Sequence, residues 1–148
     1  YEVRVSGCRL LYSHCCQKVL QFVKEMDFDR LGVFCYSQEE GTKAAKLPRQ
    51  VDEKIKEERR DEIMRLQQKL AYRKAEKRAG TTMEVIVEGR LPEEEGNIYV
   101  GRTYMDAPEV DGLLYFEAGE KNFLTGDMAL VKVTGSHEYD LIGEVVKE

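Results

Sequence analysis

The sequence predicts an α+β chain: half of an α/β unit, a long connecting helix, and a small five-stranded antiparallel β-barrel. Three observations predict it. Residues 80–148 hold five short strand-like runs separated by Gly- and Pro-containing turns. Residues 16–36 read as one amphipathic helix followed by one apolar strand. Between these regions, residues 48–79 gather acids at the start and bases at the end, the order a helix dipole favours.

In the first region, Val19, Leu20, Phe22, Val23 and Met26 recur at helical spacing within Cys16 to Met26. The Asp27-Phe28-Asp29 stretch breaks that pattern. Leu31 to Tyr36 then reads as a buried strand of the parallel kind, followed by a polar loop, Ser37 to Thr42. A lone unit of this kind is expected to need neighbouring strands from outside the chain. In the second region, Asp52 is the expected N-cap and Gly80 the stop signal. Val51, Ile55, Ile63, Leu66 and Leu70 form a narrow apolar stripe, so most of this helix is expected to be solvated. Its basic end is explained by the dipole without invoking nucleic acid.

The third region supplies strands at Thr81 to Glu88, Asn97 to Tyr104, Gly112 to Phe116, Met128 to Thr134 and Tyr139 to Val146. Turns are expected at Pro92 with Gly96, Pro108 with Gly112, Gly119, Gly126 with Asp127, and Gly135 with Ser136. Five such strands suit a small closed barrel of OB-like architecture.

Charge divides the chain unevenly. Residues 80–148 carry 15 acidic against 5 basic side chains, a net of −10, whereas residues 1–79 carry a net of +5. An acidic barrel repels phosphate backbones and attracts cationic surfaces. Nucleic acid is therefore not the expected direct ligand, and a basic protein is. No run reaches the ~18 apolar residues of a membrane span, so no membrane partner is expected. No secretory signal is visible and the first residue is not Met, which suits a cytoplasmic piece of something longer.

Cys8, Cys15, Cys16 and Cys35 all fall in the first quarter, which suits free thiols rather than a disulfide framework. A metal site from Cys8, His14, Cys15 and Cys16 is disfavoured, because adjacent cysteines are awkward co-ligands and no C-x-x-C occurs. His14 and His137 are far apart, and His137 reads as a solvated turn residue. No catalytic constellation stands out, and Gly41-Thr42 is too short for a phosphate loop.

Two longer motifs carry a resemblance. FDRLGVFCYSQEEGTKAA, residues 28–45, with Gln50, Val51, KEERR at 56–60, and Met64, Leu66 and Gln67, resembles the end of the barrel in radical-SAM methylthiotransferases. Residues 80–148 resemble the TRAM domain appended to those enzymes. EEGT at 39–42, YVGRTYMDAPEVDG at 99–112 and EYDLIGE at 138–144 resemble the RimO-like branch, which modifies a ribosomal protein. The resemblance runs from about Gln17 to Glu148. Residues 1–16 depart from it, lacking the family's Gly-x-Pro-Gly-Glu turn; a frame error or artificial junction and a diverged strand are both open.

The resemblance implies three parts: a C-terminal piece of the radical-SAM α/β barrel (1–47, with 1–16 atypical), a linker and connecting helix (48–79), and a TRAM domain (80–148). It implies a parent transferase that uses S-adenosylmethionine and two 4Fe-4S clusters to methylthiolate an aspartate of a basic small-subunit ribosomal protein. None of the cluster cysteines is in this chain, so it is expected to bind no cofactor and to be inactive alone. Tyr36, Ser37, Glu39, Glu40, Gly41 and Thr42 are implied to lie near the cofactor at the barrel end. Asp106, Glu109 and Asp111 are the expected protein-docking residues, with Glu93, Glu94 and Glu95 a second, looser cluster. The expected partners are the ribosomal protein and the rest of the radical-SAM enzyme. The alternatives are a fragment of a tRNA methylthiotransferase, disfavoured by the acidic charge, and a non-catalytic acidic adaptor, disfavoured by the half barrel unit.

Overall fold

A computed structural model describes residues 2–5, 12–48, 50–92 and 96–146. The chain divides into two compact units, residues 1–71 and 72–148. Among the described residues, seven strands and two helices follow one another: β1 (Glu2–Val5), α1 (Tyr12–Met26), β2 (Gly32–Cys35), α2 (Glu53–Lys77), β3 (Thr82–Arg90), β4 (Ile98–Thr103), β5 (Leu114–Glu117), β6 (Met128–His137) and β7 (Asp140–Val145).

The first unit is a β-α-β arrangement. β1 pairs in parallel with β2, from Glu2 opposite Gly32 to Val5 opposite Cys35. This corrects the expectation that β2 has no neighbour within the chain. The signal was missed because EVRV is four residues long and half charged, too short for alternation to stand out. Helix α1 extends to Tyr12, earlier than its apolar spacing begins. It stops where Asp27 adopts a left-handed φ of 46° and its N–H bonds the Val23 carbonyl at 3.1 Å. A short polar side chain tolerates that conformation. Val23, Leu31, Val33, Ile63 and Leu70 form the buried cluster of this unit, with Val19, Leu20, Phe28 and Leu66 packed against it. Gln67 crosses its margin and donates to the Phe28 carbonyl at 2.9 Å.

Helix α2 begins as its sequence requires. The Asp52 carboxylate accepts from the Lys54 backbone N–H at 3.0 Å, satisfying one of the helix's orphan donors. It ends at Lys77; Gly80 follows with a φ of +87°, where a Cβ would be strained.

The second unit is a closed barrel in the order β3-β4-β5-β7-β6, with β6 returning to β3. Four of its pairings are antiparallel, and β5 with β7 is parallel. The expectation of an antiparallel barrel is therefore corrected at one seam. The reason is parity: strand directions cannot alternate all the way around a ring with an odd number of strands. Val85, Val87, Tyr99, Leu114, Phe116, Val131, Val133 and Leu141 fill the interior. Each comes from an alternating strand that turns its other face outward. Tyr99, Phe116 and Phe123 form a triangle with ring centroids 5.5–5.9 Å apart. The Tyr99 hydroxyl leaves the core by accepting the Phe123 N–H at 3.2 Å.

β6 runs three residues past its expected end. Gly135 is not a turn but the far side of a register shift between Val133 and Gly135, after which the ladder continues to His137 opposite Asp140. The turn falls at Glu138 and Tyr139, and Glu138 has a φ of 55°. A bulge of this kind increases local twist and helps close the barrel.

Candidate functional site

Two places hold the residues singled out from the sequence, one in each unit.

In the first unit, the chain leaves β2 at Cys35 and folds into a tight polar loop. The Thr42 hydroxyl donates to the Glu39 carbonyl at 2.9 Å and accepts the Ala45 N–H at 3.2 Å. Gly41 takes a φ of +82°, the left-handed turn that the loop requires. Gln38 spans the loop to the Ala45 carbonyl at 3.0 Å. Beside it lies a cavity of about 380 Å³ lined by Tyr36, Ser37, Glu39 and Thr42, together with Phe34, Cys35 and Ala44. Four of the six residues named from the sequence thus line one hollow, whereas Glu40 and Gly41 do not.

Lys56 anchors this loop and was not anticipated. Its ammonium donates to the Tyr36 carbonyl at 2.9 Å, meets Glu53 at 2.5 Å and lies 5.5 Å from the Tyr36 ring centroid. Its side chain is 8% exposed, so the cation is held between carbonyl and ring rather than in water. One signal pointed to it: a lysine in the first helical turns, where the dipole favours acids. The Tyr36 hydroxyl is buried without a hydrogen-bond partner.

Cys16 is the other chemically distinctive group here. Its thiol lies 3.8 Å from the Glu62 carboxylate. Burial first, and then the Glu62 charge, raise its pKa above the usual 9.0. It is therefore a poorly activated thiol. Among the described residues, no group of three His, Cys, Asp or Glu could hold a metal ion. Cys8, and the side chains of His14 and Cys15, lie outside the described residues.

In the second unit, residues 104–113 form the acidic loop between β4 and β5. Asp106 accepts from the Thr103 hydroxyl at 2.6 Å and from its N–H at 3.2 Å. Thr103 is 2% exposed, so this bond ties the loop to the barrel wall. Asp111 accepts the Ala107 N–H at 2.8 Å and closes the other side. Glu109 is exposed at the tip with a φ of 61°. The three acids are thus brought together in one stiff turn, but in unlike roles: two build the loop, and Glu109 projects from it. The second cluster, Glu93 to Glu95, lies outside the described residues.

Few cations offset the barrel's acids. Arg102 pairs with Glu88 at 2.8 Å, and Arg90 lies 5.9 Å from the Tyr99 ring centroid. No helix among the described residues is long and apolar enough to cross a membrane.

Comparison with known proteins agrees with this architecture. Residues 79–146 match the TRAM domain family model. The chain is 46% identical over 132 residues to the ribosomal protein uS12 methylthiotransferase RimO of Petrotoga mobilis, an alignment covering 88% of this chain and 29% of that protein. It is 47% identical over 130 residues to the protein of the same name from Citrifermentans bemidjiense, covering 88% and 28%. It is 50% identical over 128 residues to that of Clostridium botulinum strain Hall, covering 86% and 28%. The chain thus spans less than a third of the length of the relatives it matches. Residues 79–146 thus carry a TRAM domain, and over most of its own length the chain is similar to the RimO methylthiotransferases.

Proposed function

We propose that this chain is the substrate-docking part of a radical-SAM methylthiotransferase that acts on an aspartate of the basic ribosomal protein uS12. On this reading, residues 1–47 end the radical-SAM barrel, residues 48–79 connect, and residues 80–148 are the TRAM domain that holds the substrate. The observation that carries it is the net charge of −10 on a barrel similar to that of the RimO proteins. A ribosomal protein is basic because it binds RNA, and an acidic face attracts it while repelling tRNA.

The iron–sulfur clusters and S-adenosylmethionine would supply the radical and sulfur chemistry in the whole enzyme. The four cysteines of this chain lack the C-x-x-x-C-x-x-C spacing of a radical-SAM cluster, so its residues do not fit that group. The chain's own contribution is to bind and orient. Asp106 and Asp111 hold the loop in shape, and Glu109 presents its carboxylate to the partner; a prefolded loop loses little entropy on binding. In the whole enzyme the hollow beside Tyr36, Ser37, Glu39 and Thr42 would lie at the cofactor end of the barrel, with Lys56 fixing Tyr36. The enzyme works in the cytoplasm, where its substrate is made.

Equilibrium titration tests this reading. Purified uS12 binds the 148-residue chain, and unmodified tRNA at the same concentration does not. Preference for tRNA at physiological salt overturns it.

A further inference from the structure

The only parallel pairing among the described barrel strands, β5 with β7, brings Tyr115 opposite Ile142 and Glu117 opposite Glu144. Leu114, Phe116 and Leu141 on the same strands are buried, so this second set faces outward. The outer face mixes apolar groups with the polar ones such a sheet normally shows. It forms a groove of about 570 Å³ whose lining includes Leu91, Ile98, Tyr115 and Ile142, and Ile142 is 44% exposed. A second hollow of about 520 Å³ shares Glu117 and Glu144, so the two adjoin at the acidic pair.

That pair is a cost to the free protein, because like charges directly opposite one another on neighbouring strands repel. Among the described residues, no side-chain ion pair neutralises it. Lys132 stands opposite Glu144 on β6, yet no ion pair or hydrogen bond joins the carboxylate of Glu117 or Glu144 to any described residue. Lys121, beside the second hollow, turns its ammonium to the Val146 carbonyl at 3.4 Å. A cation from outside would remove the repulsion and gain two carboxylates at once.

We propose that this groove receives an extended basic segment of the protein partner. Apolar side chains of the segment lie against Leu91, Ile98, Tyr115 and Ile142, and a Lys or Arg enters between Glu117 and Glu144. The inference rests on the docking reading above and adds a second, apolar contact to it. Because the barrel is closed, the segment cannot add a strand at an edge, so side chains carry the recognition. An extended chain alternates its side chains with a period of two, which suits a groove lying along the strands. An RNA strand would bring phosphates to the acidic pair and is excluded by charge.

The test uses the whole chain and purified uS12, read by fluorescence anisotropy. Glu117→Gln with Glu144→Gln is expected to raise Kd roughly tenfold and to leave the melting temperature unchanged or higher. Ile142→Ser is expected to weaken binding in the same direction. Glu76→Gln with Glu84→Gln removes the same charge from residues outside the groove lining and is expected to leave Kd within about twofold. If the unaltered chain binds and the groove pair costs no more than this control, the groove is wrong while the docking reading stands. If the unaltered chain does not bind uS12, both fall. Should Ile142→Ser fail to fold, the near-isosteric glutamine pair still decides.

Discussion

Gly143→Ala probes the barrel geometry on which both docking proposals depend. Gly143 lies on β7 between Ile142 and Glu144, opposite Phe116 on one side and Val133 on the other. A Cβ there would sit 2.6 Å from Val131 Cγ1 and 2.7 Å from the Lys132 carbonyl oxygen. The valine is fully buried and the oxygen belongs to the backbone, so neither can step aside cheaply. Overpacking of this kind costs about 1–3 kcal/mol, and the backbone contact places this case near the top. Restricting the unfolded chain returns somewhat under 1 kcal/mol, leaving a net loss of about 2 kcal/mol. Gly135→Ala is the internal control, since nothing lies within 4 Å of a Cβ there and its φ is ordinary. Hydrogen exchange at the Val131 and Val133 amides reads barrel opening directly. The Gly143 variant should exchange about thirtyfold faster, and the Gly135 variant no faster than the unaltered chain. Equal rates in all three would refute the packing argument, as would equal acceleration in both variants.

Further outcomes follow from the structure. Glu109→Gly keeps the left-handed φ, leaves the melting temperature within about 3 °C or raises it, and slows association with uS12; Asp106→Ala instead strips Thr103 of its partner and costs about 1–3 kcal/mol in urea unfolding. Cys16 alkylates with iodoacetamide at pH 8 more slowly than a free cysteine, and Glu62→Gln accelerates it, as peptide mass spectrometry will show; an unchanged rate would remove Glu62 as a cause. Because its folded pKa is raised, Cys16 adds stability that is full below the unfolded pKa and is lost as pH rises through the folded one, so the first unit should weaken in that alkaline window. Asp52→Ala removes the N-cap of α2 and costs about 1 kcal/mol of helix stability, seen as faster exchange of the Lys54 and Ile55 amides.

Much of the barrel was legible because its code is local. Val85 with Val87, and Val131 with Val133, announce inward faces by simple alternation, and Gly126 marks a true turn. The parallel seam was not legible, because strand direction around a closed ring is a property of the count and connectivity rather than of any one strand. Gly135 misled for a related reason: the same residue serves a turn or a bulge, and only the partner strand decides. At the acidic loop, the grouping of Asp106, Glu109 and Asp111 could be read from spacing. Their division of labour could not, since it depends on Thr103 and Ala107 pointing their donors at two of the three. The outer groove was hidden because its members, from Leu91 to Glu144, are scattered and meet only when β5 closes on β7. Lys56 was visible as a misplaced charge, but its partner, the Tyr36 carbonyl, lies twenty residues away.

The central claim is that acidity on this barrel is a docking device for a basic protein rather than a means of staying dissolved. The association rate of the 148-residue chain with uS12, followed by stopped flow across ionic strength, tests it most directly. Opposite charges steer encounter, so the rate should be high at about 0.01 M salt and fall at least tenfold by about 0.15 M. An association rate that does not change with salt would contradict the account and leave the charge on residues 80–148 without a role in recognition.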